Sequence, residues 1–560
     1  MSSARMEPTM NRLARGGALN LAGAVSAGVL GLALVVVVAH VYSQQVAGAF
    51  FAATSLFIIL GAVSGLGSDA GLVRWLPRHL ALGDRAAARR TVPIALIPVL
   101  ATACVAAFAV AVAAPWAAGV IDDAHAAQLT AMLRVLAIFL PIAALHDGLL
   151  AATRGHATMR PTVLIEKIFR QAAQVTGVAI APLVSDHAAA LALAWAFPYL
   201  PGAIAAAVWY RRLAAVSPAE RVAAAETAAI PASALHAVGK RPPASQEPAT
   251  RAPETPQAPA GHGPIREFWS YTAPRAVAQI FQTALQRVDI VLIAALGSAR
   301  DAAIYTAATR FMVVGQLGTQ AIQQVMQPAV SRLLTLSDDA TAGRVFAVST
   351  TWTVALTWPV HLAVATAAPA YLSSFGAGYA DAGQAATVIL ALTMLLATAS
   401  GPVDVMLLMA GRSGLSLVNN AAALAVNLVL NLLLIPHYGI VGAAVAWAAA
   451  IVTRNLLPLV QVRRILGMSP MSAGLLWAAG SAAVSFAALP LLSRAGLGTG
   501  VGAVCAGLIP GAALYVTLLW VARQRLGLNA FGSLLPGRAA PTPPAPPDAV
   551  PMRSVHVHGS

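Results

Sequence analysis

The chain has 560 residues, 58% of them hydrophobic and only 10% charged, with a formal net charge of +15. A soluble domain carries about 25% charged residues, so the composition excludes a string of soluble domains and indicates a polytopic helical membrane protein. Cys104 and Cys505 both sit inside apolar runs, which excludes a disulfide framework.

Taken in chain order, apolar runs long enough to cross roughly 30 Å of hydrocarbon recur from end to end. They predict fourteen helices, at 17–42, 47–70, 92–113, 129–152, 162–184, 188–210, 267–296, 302–330, 345–368, 384–409, 414–435, 439–460, 472–492 and 498–522. The first run is too long for the apolar core of a cleavable signal peptide, about 7–15 residues. Alternate loops then separate the basic residues sharply. Of 35 Lys and Arg, 26 fall on the tails and one set of loops, and only Arg300 and Arg494 fall on the other set. That bias predicts a cytoplasmic-membrane protein with both termini cytoplasmic. It also accounts for the net charge as topology plus attraction to membrane lipid, and no nucleic-acid partner is expected. External loops are short, the longest near 114–128, which leaves no room for an external catalytic domain.

The expected organisation is a cytoplasmic N-tail (1–16), an N-lobe of six helices (17–210), a cytoplasmic linker (211–266), a C-lobe of six helices (267–460), two further helices (472–522) and a C-tail (523–560). The linker and the C-tail are rich in Pro and Ala with few large apolar residues, a composition expected to stay disordered. The lobes look like an internal repeat. At an offset of 255, Ser43, Ala52-Ala53-Thr54, Asp84 and Arg89 match Ser298, Ala307-Ala308-Thr309, Asp339 and Arg344. Near 258, Leu149-Leu150 and Arg154 match Leu407-Leu408 and Arg412. Six helices per repeat, both starting inside, give two lobes related by a pseudo-twofold along the membrane normal, with a substrate site between them.

The seventh and eighth predicted helices carry a polar stripe. Arg275, Gln279, Gln282, Gln286 and Asp289 lie three and four residues apart on one helix, and Gln316, Gln320, Gln323 and Gln327 do so on the next. Such spacing puts each set on one helix face, and a polar face at membrane depth must meet protein or a wet cavity. The repeat aligns Arg275 with Asn20, Asp289 with Leu34 and Arg310 with Ser55, so the stripe belongs to the second lobe. Asp289 and Arg310 sit at matching depths and are expected to pair between helices. Arg287 lies beside them. The glutamines divide between sugar recognition and plain packing.

In the first lobe, Glu166, Lys167 and Arg170 cluster on the fifth predicted helix, Glu166 and Arg170 paired at i,i+4. Asp147 and Asp404 occupy nearly the same point of the two repeats. Asp289, Asp147, Asp404 and Glu166 are the candidates for coupling to an ion or proton. Arg134 and Arg454 read as interfacial residues. The histidines are scattered and no phosphate-binding Gly-rich loop is present, so no catalytic site, metal, cofactor or ATPase of the chain's own is expected.

Three stretches resemble the polysaccharide-transport (oligosaccharide flippase) branch of the multidrug/oligosaccharidyl-lipid/polysaccharide exporter superfamily, in which lipopolysaccharide biosynthesis proteins fall. They are Gly65-Leu-Gly-Ser-Asp-Ala-Gly-Leu-Val-Arg74-Trp-Leu-Pro-Arg78; Tyr271-Thr-Ala-Pro274 with Arg287-Val-Asp289 and Gln327-Pro-Ala-Val-Ser-Arg332; and Asn427-Leu-Val-Leu-Asn431 running through Pro436 to Gly439 and Gly442. The resemblance spans nearly all of 13–525. It implies an all-α, V-shaped transporter that carries polyprenyl-(pyro)phosphate-linked oligosaccharide outward by alternating access, working beside a polysaccharide polymerase or glycosyltransferases. Arg275, Arg287, Arg310, Lys167 and Arg170 would then meet phosphate or charged sugar, and Gln279, Gln282, Gln286, Gln316 and Gln320 sugar hydroxyls. The long linker 211–266 departs from the family pattern. A peptidoglycan-precursor flippase, a cation-coupled multidrug exporter, a membrane polymerase or ligase, and a non-transporting scaffold are the alternatives.

Overall fold

A computed structural model describes residues 3–121, 126–215, 263–498 and 500–526, the side chains of residues 3–18 and 325 excepted. The linker beyond residue 215 and the C-tail beyond residue 526 lie outside the described residues. Every element among the described residues is helical. Apart from the short helix Ala368–Ser373, the helices are α1 (Ser3–Val41), α2 (Gln44–Gly65), α3 (Ser68–Ala81), α4 (Arg85–Ile121), α5 (Ala126–Gly155), α6 (162–184), α7 (Ala188–Ala215), α8 (Pro264–Leu296), α9 (Ala299–Thr309), α10 (Met312–Thr335), α11 (Asp339–Thr366), α12 (Tyr379–Met409), α13 (Ser413–Leu466), α14 (Ala473–Leu497) and α15 (Val501–Val521).

Helix occupies each of the fourteen expected stretches, yet ten helices among the described residues are long and apolar enough to cross a membrane. One of the ten, α13, holds two expected spans. Gly439 interrupts it with φ 53° and ψ −133°, a conformation that only glycine adopts without strain. The three expected spans that fall short are the polar or broken ones: α6 with Glu166, Lys167 and Arg170; α9–α10 with the glutamines; and α11 with its threonines. Their poverty in apolar surface fits helices that turn toward protein and water rather than lipid.

The loop expected at 71–91 contains a helix, α3. Leu66 and Gly67 end α2 in the left-handed region (φ 49° and 64°), and the chain restarts at Ser68. The expected helix 302–330 is split at Arg310–Phe311, and a side chain causes the break. The Tyr371 hydroxyl donates to the Ala307 carbonyl (2.9 Å) and accepts from the Phe311 amide (3.1 Å). An inserted hydroxyl replaces the helical bond between those two backbone groups and separates α9 from α10. Two repeat positions act alike. Ser43 and Ser298, aligned by the sequence offset, cap α2 and α9 by accepting from Val46 and Asp301 amides.

One core runs through both halves of the molecule. Phe50, Phe57, Trp195 and Tyr199 of the first half share it with Ile290, Ile304 and Tyr305 of the second. α2 is the bridge, packing on both α8 and α9. Small residues set the approach: a Cβ on Gly48 would fall 1.5 Å from the Ala299 carbonyl oxygen. The last two helices attach to α11, where Tyr515 donates to the Ala355 carbonyl (2.7 Å) and the Thr351 and Ser472 hydroxyls meet at 3.1 Å.

Candidate functional site

α8 is the shared wall of two cavities. On one side, Gln282 and Gln286 join Gln316, Gln320 and Gln323 of α10, Asp404 of α12 and Arg454 of α13 around a cavity of about 240 Å³. On the other, Gln279 and Thr283 face Asp69, Asp147, Arg154, Glu166 and Tyr199 across a cavity of about 370 Å³. Gln279, Gln282, Gln286, Gln316 and Gln320 are all exposed. The glutamine stripe therefore supplies amide donors and acceptors to open space, and helix packing does not bury it. Arg454, expected at the interface, instead shares the smaller cavity with Asp404. Asp404 itself accepts from the Ser416 hydroxyl.

Asp289 does not pair with Arg310. It is 3% exposed and is held by neutral donors, Tyr305 Oη to Oδ2 at 3.1 Å and Asn431 Nδ2 to Oδ1 at 2.7 Å. Asn427, one turn before Asn431, is fully buried beside the same carboxylate, and Asn431 Oδ1 has no partner among the described residues. Arg310 is half-buried at the Tyr371 break, its Nε donating to the Thr306 carbonyl at 3.1 Å. The Asp289 carboxylate instead meets Tyr305, five residues before Arg310, and Asn431 of α13. Arg287 is half-buried two residues from Asp289, and residues i and i+2 on a helix do not face each other.

The first half holds a denser polar cluster on α5, α6 and α7. The segment Thr162–Arg170 of α6 is wound as a π-helix, a geometry common at functional sites. Arg170 Nε donates to Glu166 Oε2 at 2.7 Å and its Nη2 donates to the other carboxylate oxygen, making the expected pair bidentate. Arg170 also reaches Gln174 (3.0 Å) and lies 4.8 Å over the Tyr199 ring. The cluster extends to His146, which is fully buried, with Nδ1 2.9 Å from Asp147 Oδ1 and 3.7 Å from Glu166 Oε2. A Cβ on Gly202 would press on the imidazole at 2.9 Å, so glycine there admits the ring. Ligand atoms of His146, Asp147 and Glu166 lie within 4.8 Å of one another, close enough to share a proton or a metal ion. The bidentate Arg170 already satisfies Glu166, which favours the proton.

Lys167 faces elsewhere. Its Nζ donates to Asn20 Oδ1 at 2.8 Å and so ties α6 to α1. Arg275 is exposed, its guanidinium 3.8 Å from the centre of the Tyr271 ring. Tyr305, Asn427, Asn431, His146 and Tyr371 are the functional candidates that sequence reasoning missed. Only the two asparagines had a signal, since amides four residues apart in an apolar helix mark a polar face.

Residues 249–382 match the family model described as "Polysaccharide biosynthesis protein". No curated protein matches the sequence. Among solved structures the chain is similar to the lipid II flippase MurJ in an inward closed conformation, with a TM-score of 0.65, 10% identity and coverage of 90% of this chain and 98% of that one. It is also similar to an inward-facing MATE family multidrug resistance transporter of the MOP superfamily, at 0.58, 14%, 79% and 94%. A MATE protein in a bent conformation matches at 0.50, with 13% identity and coverage of 82% and 96%. At such identities the structural likeness shows the fold alone, a bundle of long apolar helices. The solved proteins named here are described as a multidrug transporter and a lipid II flippase.

Proposed function

We propose that this protein is a flippase of the cytoplasmic membrane that moves a polyprenyl-(pyro)phosphate-linked oligosaccharide outward for cell-surface polysaccharide synthesis, by alternating access. One observation carries the reading: glutamines from α8 and α10 converge on open cavities whose other walls bear Asp404, Arg454, Asp147 and Glu166. A cavity lined by amides and a few charges suits sugar hydroxyls, which need both donors and acceptors, better than an apolar drug. The matched family description, polysaccharide biosynthesis, supports the same substrate class. In this reading both termini are cytoplasmic, the two lobes rock about the α2–α8 contact, and Asp289 or the His146–Asp147–Glu166 cluster couples transport to a proton or ion.

A lipid II flippase is the second reading, favoured by the coverage and TM-score of the MurJ likeness. The test is reconstitution of the full chain in proteoliposomes with fluorescent lipid-linked oligosaccharides and, separately, lipid II. The proposal requires translocation of the oligosaccharide lipids, weakened in a Gln282→Ala/Gln320→Ala variant. Translocation of lipid II alone refutes it in favour of the second reading, and wild-type rates in the variant refute the cavity assignment.

A further inference from the structure

The cavities do not account for a basic and aromatic cluster where the first half of the molecule meets the second. α3 sits on the N-terminal half of α8 through two glycines. A Cβ on Gly67 would lie 2.8 Å from the Ala276 amide, and one on Gly71 2.5 Å from the Phe268 ring. That close seat brings Arg74 of α3 over Tyr271 of α8, its guanidinium carbon 3.9 Å from the ring centre. Arg275, one turn along α8, stacks on the same ring at 3.8 Å. Two guanidinium carbons that close to one centre are separated by no more than the sum of those distances, about 7.7 Å.

Like charges gathered this way need a counter-charge, and the described residues do not supply one. Glu267, the nearby acid, is 3.6 Å from Arg78. Neither Arg74 nor Arg275 forms an ion pair with any described residue, and both are exposed. Trp75 extends the platform, with Arg74 and Arg78 5.5 and 5.0 Å from its ring centre. Its indole Nε1 is buried without a partner, and the ring lines a crevice of about 170 Å³ with His79, Arg90 and Glu267. The cluster therefore offers guanidinium forks held flat by aromatic rings, an arrangement suited to multidentate phosphate oxygens.

We propose that Arg74 and Arg275, stacked on the shared ring of Tyr271, form a diphosphate-capture site that bridges the two halves of the protein. This rests on the flippase reading and assigns the diphosphate of the lipid-linked substrate to this mouth of the molecule. The glutamine cavities are left to the sugar. A diphosphate diester carries two negative charges on adjacent phosphorus centres and can engage one arginine from each half. A bilayer phospholipid with a single phosphodiester charge cannot satisfy both. Because Arg74 and Arg275 belong to different halves, capture also favours the approach of α3 to α8.

The purified full chain in neutral detergent, titrated with farnesyl diphosphate, tests the site. Farnesyl monophosphate and phosphatidylglycerol serve as the comparison ligands. Wild type is expected to bind the diphosphate. Arg74→Ala, Arg275→Ala and Tyr271→Leu should each weaken it by roughly tenfold to a hundredfold, the range for losing hydrogen bonds between charged groups. Tyr271→Phe, which keeps the ring, and Arg344→Ala, elsewhere on the surface, should bind as wild type. Should an alanine variant fold poorly, Arg74→Gln and Arg275→Gln preserve the stem and should show the same loss. Equal displacement of the diphosphate by phosphatidylglycerol would make this a bilayer headgroup site and overturn the proposal. So would folded alanine and glutamine variants that bind as wild type. The same preparations separate this proposal from the transport reading. Arginine-dependent diphosphate binding in a protein that flips no lipid-linked sugar sustains the site and sinks transport. Transport with diphosphate binding indifferent to both arginines does the reverse.

Discussion

The Glu166–Arg170 pair gives the sharpest test of how the first-half cluster is held together. Arg170 is 8% exposed, and its fork is committed to both oxygens of Glu166, with Gln174 and the Tyr199 ring as further neighbours. Glu166→Ala strands that guanidinium, and removing one partner of a buried pair costs about 3–5 kcal/mol. The lower end applies here, about 3 kcal/mol, because the Glu166 side chain is 26% exposed toward the larger cavity and water there can reach the stranded charge. Arg170→Met should cost less. It leaves a carboxylate at the cavity edge that can take a proton or lean on His146 at 3.7 Å. The double variant Glu166→Ala/Arg170→Met removes both charges while methionine fills the stem's volume, so it should recover most of the loss. The assay is thermal unfolding of the four proteins in one detergent, completed as a double-mutant cycle. A double variant whose melting point falls by the sum of the two single losses would show that the charges are not coupled, and the reasoning would fail.

Two further outcomes follow from the second half. Tyr305→Phe removes one donor to buried Asp289 and should lower stability by about 1 kcal/mol, since hydrogen bonds inside membrane proteins average about 0.6 and reach about 1.7. An unchanged melting point in Tyr305→Phe together with an unchanged one in Asn431→Ala would mean that Asp289 is satisfied some other way. Gly48→Ala puts a methyl where the Ala299 carbonyl stands, so α2 must part from α9 at a cost of at least about 1–3 kcal/mol. Wild-type stability in that variant would show that the contact between the halves is slack.

The helices were legible because apolar runs and i+3/i+4 spacing are local properties of the chain, and the glutamine faces follow from the same periodicity. Which way each residue points was not legible. Arg310 is deflected by a tyrosine hydroxyl 61 positions later, and Asp289 is satisfied by an asparagine 142 positions away. No window of sequence contains both members of such contacts. His146 is hidden for the same reason: its neighbours Glu166 of α6 and Tyr199 and Gly202 of α7 come from two other helices, and only packing makes them one cluster. α3 escapes the hydropathy pattern because its apolar length is too short to span a bilayer, yet Gly67 at its start and Gly71 within it are spaced one turn apart, as a seat on a neighbouring helix requires.

The three helices that miss the hydropathy of a membrane span are also those that bring the charges and amides together, and that coincidence has a physical cause. A bundle in lipid gains little from burying apolar side chains against one another, since lipid is equally apolar. A helix that leaves the lipid-facing ring for the interior can therefore exchange leucine for glutamine, glutamate or threonine at small cost, provided each polar group finds a partner or water. In α6 the partner is Arg170 on the same helix, in α10 it is the open cavity, and in α11 the threonine hydroxyls bond back to carbonyls one turn earlier, as Thr353 does to Ser349 and Thr357 to Thr353. α8 stands between these solutions: apolar enough to span, it carries its amides on two faces, Gln279 toward one cavity and Gln282 and Gln286 toward the other. A helix so placed feels the contents of both cavities, which makes it the element through which occupancy of one half can bias the other.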